Sequence, residues 1–184
     1  MRIIGGEARG RKIDAPAGRH TRPTLDRVRE NIFNILQADV PESRVLDLFA
    51  GSGALSLEAV SRGAAYAVLV DNDRNAAETE KNNIASLGFG DRTRTIYGDW
   101  KKAAGILRQE GAVFDLVFLD PPYAMLDLRE VFNSLSPLIH EDTLVVLEHE
   151  AAKQYTVAEN YISVKQRAWG FCAVTIYKIR NEGA

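Results

Sequence analysis

The sequence predicts an α/β fold, a doubly wound and mostly parallel seven-stranded sheet with one antiparallel strand and an N-terminal β-hairpin extension. Short apolar runs typical of buried strands alternate with helical patterns along most of the chain, as parallel sheets require. The last two predicted strands are joined by residues 168–171 alone, a link of hairpin size. A connection that short forces one of the two strands to run antiparallel to its neighbour.

The N-terminal part of the chain differs from the rest in composition. Residues 2–14 place three glycines between short apolar pieces, which favours a hairpin that bends near Gly5-Gly6 or Gly10. Residues 15–23 contain two prolines and a glycine and are typical of a loop. We therefore divide the chain into a basic N-terminal hairpin or arm, residues 1–23, and an α/β domain, residues 24–184.

The domain opens with a helix that Thr24 can cap and that Pro41 ends. The apolar face of this helix consists of Val28, Ile32, Ile35 and Leu36. Strands are predicted at 45–49, 67–71, 93–97, 113–119, 143–147, 162–166 and 173–177. Helices are predicted at about 54–63, 73–87, 101–110 and 128–136.

Charge is distributed unevenly along a chain whose net charge is only -2. Residues 1–30 hold eight basic and four acidic side chains, which leaves -6 for the remainder. Seven of the eight cations are arginine, the residue best suited to bidentate phosphate contacts. This pattern predicts a local nucleic-acid patch, for which the candidates are Arg2, Arg9, Arg11, Lys12, Arg22 and Arg27. A solvated basic arm without a partner is the alternative.

The composition excludes several classes of protein. The 46% apolar and 26% charged residues are those of an ordinary globular protein, and no apolar run approaches a membrane span. Cys172 is the single cysteine, and the three histidines show no ligand spacing, so we expect neither a disulfide nor a metal. We expect a cytoplasmic protein, and its size suits a monomer.

A glycine-containing loop follows the first predicted strand, at Asp47–Gly53. Gly51 and Gly53 allow the backbone to approach a ligand closely, but Ser56 stands where a dinucleotide fingerprint has its third glycine. Asp47 would repel a pyrophosphate and would suit a ligand that carries an ammonium group. The loop, including Phe49, is therefore a candidate for binding a positively charged small molecule.

Two further acids end the next two predicted strands. Asp71, 18 residues after Gly53, occupies a position where an acid binds ribose hydroxyls. Asp99, beside Trp100, could accept a hydrogen bond from an adenine amino group or could simply cap a helix. An ammonium, a ribose and an adenine together indicate S-adenosylmethionine rather than NAD.

The stretch Asp120–Tyr123 follows the fourth predicted strand with an acid, two prolines and an aromatic residue. The Asp120 carboxylate can accept a hydrogen bond from an amine, and the prolines have no N–H that would compete for the Pro121 carbonyl. The ring of Tyr123 can stack on a flat base. These residues predict a clamp for the exocyclic amine of a nucleobase, with a simple strand-ending turn as the alternative.

These motifs together resemble the class I S-adenosylmethionine-dependent methyltransferases that methylate amines. The N-terminal pattern of residues 2–6, 9–11 and 22–34 narrows the resemblance to the bacterial 16S rRNA guanine-N2 methyltransferase family, which acts at guanine 966. The resemblance implies that Asp47, Phe49 and the glycine loop hold the methionine end, that Asp71 binds the ribose, and that Asp99 and Trp100 frame the adenine. It implies that Asp120, Pro121 and Tyr123 are catalytic and that the partner is 16S rRNA in the small ribosomal subunit.

Two other functions stay open at this stage. An adenine-N6 DNA methyltransferase would use the same clamp, but the chain has little room for an added target-recognition region. A non-catalytic assembly factor could keep the fold and bind rRNA through the basic arm. Cofactor binding and the identity of the methylated base would separate these functions.

Overall fold

The computed structural model describes residues 1–16 and 23–180, and it confirms the predicted fold class. Seven strands form one sheet in the order β3-β2-β1-β4-β5-β7-β6. The strands are β1 (Arg44–Asp47), β2 (Tyr66–Asp71), β3 (Thr93–Tyr97), β4 (Phe114–Leu119), β5 (Ile139–Glu150), β6 (Tyr161–Trp169) and β7 (Cys172–Ile179). Among these seven strands, β7 runs in the opposite direction to the other six, and the short link before it predicts such a reversal.

Helices cover both faces of the sheet; the first precedes β1, and the others connect the parallel strands. Those within the described residues are α1 (Pro23–Ile35), α2 (Ala54–Ser61), α3 (Arg74–Leu87), α4 (Trp100–Gln109) and α5 (Arg129–Leu135). Helix α1 begins at Pro23, so Thr24 lies inside the helix and the prediction that it is the cap is wrong. Proline suits a first helical turn because its missing N–H would have had no partner there. Between β5 and β6, residues 151–160 contain no helix.

Two hydrophobic clusters cover the two faces of the sheet. The first contains Phe33 of α1 and Phe118 of β4, whose rings lie 5.8 Å apart. The second contains Phe114 of β4, Leu107 of α4 and Phe132 of α5. From Leu116 to Leu119 the β4 side chains belong alternately to the first and the second cluster, because successive side chains point to opposite faces. Phe114 precedes a register shift in the strand and belongs to the second cluster. The sheet is thereby held rigidly at the place where β1 and β4 are neighbours.

The N-terminal segment, residues 1–16, packs against the domain. Its antiparallel pairing is the single bridge between Arg2 and Lys12, and the side chains of Ile3 and Ile13 are buried in the first cluster. The buried Glu58 of α2 accepts hydrogen bonds from the backbone N–H groups of Ile4 and Gly5, both at 2.8 Å. The basic residues of this segment are therefore presented on a fixed support.

The turn of this segment requires glycine at position 6. Gly6 has a φ of 75°, and a Cβ atom there would lie 1.8 Å from the backbone oxygen of Ser61. Helix α2 and the N-terminal segment can approach this closely only because the side chain is absent.

None of the helices that the structure describes is both long and apolar enough to cross a membrane.

Candidate active site

The acids predicted for the site lie at one edge of the sheet. Asp47 ends β1, Asp71 ends β2, and Asp120 follows β4. Since β1 pairs in parallel with both β2 and β4, the carboxyl ends of these three strands are adjacent. The chain leaves β1 toward β2 on one side, and β4 lies on the other, which is the kind of switch point where α/β sheets bind ligands.

Two cavities open at this edge and share Phe49 and Asp120 as a common wall. The large cavity, about 290 Å³, is lined by Leu48, Phe49, Asp71, Asn72, Gly98, Trp100 and Asp120–Tyr123. The small cavity, about 150 Å³, is lined by Met1, Ala15, Pro16, Arg29, Asp47, Phe49–Ser52, Ala54, Leu55, Asp120 and Glu148. Most of the predicted cofactor and amine-clamp residues thus come together around two adjacent spaces, and Gly53 and Asp99 line neither of them.

The glycine loop between β1 and α2 adopts the conformation that the sequence suggests. Gly51 and Gly53 have φ angles of 60° and 78°, in the left-handed region that favours glycine. A Cβ atom on Gly53 would lie 2.7 Å from the Cδ2 atom of Leu69. The loop therefore stays close to β2 and leaves the small cavity open beside it.

Asp71 links this loop to the start of α3. Its Oδ2 atom accepts a hydrogen bond from the Gly51 N–H, and its Oδ1 atom accepts one from the Asp73 N–H, both at 2.8 Å. These bonds fix the carboxylate at the wall of the large cavity, and each oxygen keeps a second lone pair for a ligand. Paired hydroxyl groups, such as those of a ribose, match this arrangement.

Asp47 is held in a different way at the wall of the small cavity. Its side chain is 1% exposed; Oδ2 accepts a hydrogen bond from the Ser56 hydroxyl at 3.0 Å, while Oδ1 has no hydrogen-bond partner among the described residues. Burial raises the pKa of Asp47 to about 7. A buried carboxylate with an unused oxygen fits a cationic ligand group such as an ammonium.

Asp99 has a structural task of its own. It is the N-cap of α4, and its carboxylate accepts a hydrogen bond from the Lys101 N–H at 2.8 Å. Its neighbours Gly98 and Trp100, and not Asp99 itself, line the large cavity. The alternative that Asp99 caps a helix is thus present in the structure, and its predicted contact with adenine stays a prediction.

Among the predicted clamp residues, Asp120 lies between the two cavities, and Pro121, Pro122 and Tyr123 line the large cavity. Tyr123 is 36% exposed, and its ring meets that of Phe171 edge to face, with the centroids 5.6 Å apart. Burial raises the pKa of Tyr123 to about 12, so its phenol stays neutral at physiological pH. The Pro122 carbonyl accepts the Met125 N–H at 2.8 Å, which closes the turn and leaves the Pro121 carbonyl outside that bond.

Three residues at the site were not predicted from the sequence. Phe171, 57% exposed, follows Gly170 in the β6–β7 turn, and Glu148 of β5 was assigned no function. Arg29 is one of the eight basic side chains counted in residues 1–30, yet it is 4% exposed and lines the small cavity. A charged residue on the apolar pattern of a central strand, as Glu148 is, was the one signal that could have revealed the site.

The predicted RNA-binding cations lie in different surroundings. Arg2, Arg9, Lys12 and Arg27 are exposed, and Arg2 and Arg9 line one shallow cleft. The Arg11 guanidinium donates to the backbone oxygens of Ser86 and Leu87 at the end of α3. Arg22 lies outside the described residues.

Comparison with known proteins identifies the family. The family model described as "Conserved hypothetical protein 95" matches residues 1–178. The chain belongs to this family. The chain is 37% identical over 186 residues to the Escherichia coli K12 protein named ribosomal RNA small subunit methyltransferase D, an alignment that covers all of this chain and 92% of that protein.

Solved structures agree with this assignment to the family. A hypothetical protein from Thermus thermophilus is 34% identical, with a TM-score of 0.82 over 97% of this chain and 99% of that one. An S-adenosylmethionine-dependent methyltransferase from Agrobacterium tumefaciens, 17% identical, matches 86% of this chain and 63% of its own with a TM-score of 0.62. The fold is that of the class I S-adenosylmethionine-dependent methyltransferases.

The residues of the two cavities fit S-adenosylmethionine. The unused, buried Oδ1 of Asp47 suits the ammonium group, and the oriented carboxylate of Asp71 suits ribose hydroxyls. The indole of Trp100 offers a flat surface in the large cavity for adenine. Among the described residues no group of three or more His, Cys, Asp or Glu side chains could hold a metal.

Proposed function

We propose that this protein transfers a methyl group from S-adenosylmethionine to the exocyclic N2 amine of a guanine in the 16S rRNA of the small ribosomal subunit. The observation that carries the proposal is the position of Asp120 in the wall that the two cavities share. An amine held at that wall lies beside the space that suits the cofactor. The full-length similarity to a small-subunit rRNA methyltransferase supports rRNA as the substrate.

The residues of the two cavities would hold the cofactor at three points. Asp47 would bind the ammonium, Asp71 would bind the ribose, and Trp100 with the segment around Gly98 and Asp99 would frame the adenine. When bound, S-adenosylmethionine supplies an electrophilic methyl whose bond to sulfur breaks, with its electron pair going to sulfur, as the bond to nitrogen forms. Fixed positions matter most for such a displacement, because alignment of the reacting atoms can contribute several kcal/mol.

Asp120 and the Pro121 carbonyl would orient the amine. Both accept N–H hydrogen bonds, so they would turn the N2 lone pair out of the guanine ring and toward the methyl group. They would also stabilise the positive charge that develops on nitrogen. The surplus proton leaves nitrogen after the new bond has formed, to Asp120 or to water.

Tyr123 would hold the base once it has left its stack. The target must be flipped out because the cavities enclose the reacting atoms. The neutral phenol ring offers a stacking surface at the mouth, and its edge-to-face contact with Phe171 fixes the ring orientation. The exposed cations of the N-terminal segment and α1 would bind phosphates of the surrounding RNA. We propose that a single copy carries out the transfer, which is supported by the lining of both cavities by residues of one chain.

Transfer of labelled methyl tests this proposal. The substrates are small subunits from cells that lack this gene, naked 16S rRNA and duplex DNA, and the product nucleoside is identified by mass spectrometry. We expect N2-methylguanosine in rRNA. Label in N6-methyladenine would overturn the guanine assignment, and cofactor binding without any transfer would favour an assembly factor.

A further inference from the structure

Glu148 is a charged residue in the middle of the sheet that the proposed transfer does not use. It lies on β5, and its side chain lines the small cavity together with Asp120 and Arg29. One carboxylate oxygen accepts the thiol of Cys172 on β7 at 3.3 Å. The three residues before it, 145–147, are apolar and buried, so a carboxylate here costs folding free energy unless partners balance its charge.

The order of acids along the edge of the sheet indicates which ligand Glu148 faces. Strands β2, β1, β4 and β5 are neighbours in that order, and their acids are Asp71, Asp47, Asp120 and Glu148. Strands β4 and β5 are paired up to Leu119 and Leu147, so Asp120 and Glu148 are the next residues on adjacent strands. Glu148 is therefore one strand farther from the cofactor side than the residue that would hold the amine.

The surroundings of Glu148 include a positive charge that partly offsets the cost of burying a carboxylate. Burial raises the pKa of Glu148, and the nearby guanidinium of Arg29 opposes that rise. Arg29 is itself held by the carboxylate of Asp26, at 3.0 Å, by the backbone oxygen of Arg2 and by the buried carboxylate of Glu58, at 3.8 Å. The N-terminal segment, α1 and α2 thus fix a cation in the wall of the cavity that Glu148 also lines.

We infer that Glu148, supported by Arg29, reads the Watson–Crick edge of the target base by accepting the N1–H of guanine. This inference rests on the proposed function, since it concerns the base whose amine Asp120 holds. Guanine carries its N2 amine and its N1–H as adjacent donors. Two carboxylates on neighbouring strands are matched to two adjacent donors.

The same geometry rejects bases that lack the N1 proton. Adenine and 2-aminopurine present a lone pair at N1 and therefore have no proton to donate to a carboxylate oxygen. A site built to accept a hydrogen bond leaves its buried acceptor unpaired with such a base, and unpaired buried groups discriminate strongly. Glu148 is therefore a specificity residue, whereas Asp120 holds the reacting amine.

A base analogue separates the two roles. The substrates are small subunits reconstituted with 16S rRNA that carries either guanine or 2-aminopurine at the methylated position. 2-Aminopurine keeps the amine but has no N1–H. We expect the wild-type protein to prefer guanine by at least about tenfold in kcat/KM. In Glu148→Gln that preference should fall by about tenfold or more, because a glutamine amide can turn to donate to N1.

Glu150→Gln is the matched control, since Glu150 lies two residues further along β5, pairs with Lys153 and lines neither cavity. Its preference should equal that of the wild type. A single cooperative urea-unfolding transition in both variants would exclude a general loss of folding. An unchanged preference in Glu148→Gln, with guanine still methylated by the wild type, would overturn this inference alone. No methylation of guanine by the wild type would overturn the proposed function and this inference with it.

Discussion

Asp71 in the large cavity and Asp47 in the small cavity end neighbouring strands, yet their carboxylates differ in hydrogen bonding and in burial. Both oxygens of Asp71 accept backbone N–H groups, and the side chain is partly exposed. Asp47 is buried, has one oxygen without a partner among the described residues, and has its pKa raised to about 7. The protein itself positions the first acid, whereas the second lacks a partner that a cationic ligand would supply.

A third acid, Glu80, lies close enough to Asp47 and Asp71 for their charges to affect it. Glu80 of α3 is 1% exposed, and its Oε1 atom has no hydrogen-bond partner within the part of the chain that the structure describes. Burial raises the pKa of Glu80 to about 8, and the charges of Asp47 and Asp71 add to that rise. The cost of ionising Asp47 and Glu80, buried near Asp71, therefore favours a ligand that brings a positive charge.

Replacing Asp120, which lies between the two cavities, should have the largest effect on methyl transfer. Asp120→Ala takes away the acceptor for the amine, and we expect transfer to fall by about a thousandfold or more, because orientation and charge stabilisation are both lost. Cofactor affinity should change by less than about threefold. Single-turnover methyl transfer measures the first quantity and calorimetry the second. Equal losses of transfer and cofactor affinity would remove Asp120 from the amine clamp.

Replacing the buried Glu80 with a neutral residue should stabilise the protein. The folded state of the protein binds an extra proton at Glu80 between its ordinary pKa of 4.5 and about 8. The stability that this proton contributes is fully present below pH 4.5 and is lost as the pH rises through 8. Glu80→Gln should therefore raise the free energy of unfolding by about 1–3 kcal/mol at pH 9 and change it little near pH 4.5.

Urea denaturation at the two pH values measures this effect. Glu78→Gln on the same helix is the control, because Glu78 is exposed and pairs with the exposed Arg74. Its effect should stay within about 0.5 kcal/mol at both pH values. A Glu80→Gln variant that is equally or less stable at pH 9 would contradict the account of an unneutralised acid.

The smallest expected effect lies outside both cavities, on the exposed cations. Arg9→Ala with Arg27→Ala should weaken RNA binding and reduce its salt dependence by about 0.7–0.9 logarithmic units of slope for each lost phosphate contact. Arg11 is left unchanged because its guanidinium serves the end of α3. Arg94→Ala with Arg108→Ala, on β3 and α4, is the control. Equal slopes for the two double variants would exclude the N-terminal cations from the interface.

Most of the fold could be predicted because its signals are local. The apolar strands, the glycine loop and the short β6–β7 link each follow from residues that are close in sequence. The contacts of Glu58 with the N-terminal segment join residues more than fifty positions apart, and no local pattern reveals them. For that reason the arm was predicted as a separate unit, although its apolar side chains are part of the domain core.

The site was predicted in part for the same reason. Acids at strand ends were recognisable by position, and the structure brings Asp47, Asp71 and Asp120 to one edge. The environment of each acid depends on distant residues. The sequence therefore does not reveal that Asp99 caps a helix whereas Asp47 is buried. In the sequence, nothing distinguishes Arg29 from the exposed Arg27 of the same helix. The two arginines differ because they lie on different faces of α1.

The central claim is that Asp47 in the small cavity binds the ammonium group of the cofactor. The most direct test is to titrate S-adenosylmethionine against the wild type and Asp47→Asn between pH 6 and 8. Ligand binding to the ionised acid requires that a proton be released below its pKa of about 7. We predict that wild-type affinity falls about tenfold from pH 8 to pH 6, and that Asp47→Asn binds at least about tenfold more weakly at pH 8 with little pH dependence. Equal affinity and an equal pH profile in the two proteins would contradict the claim.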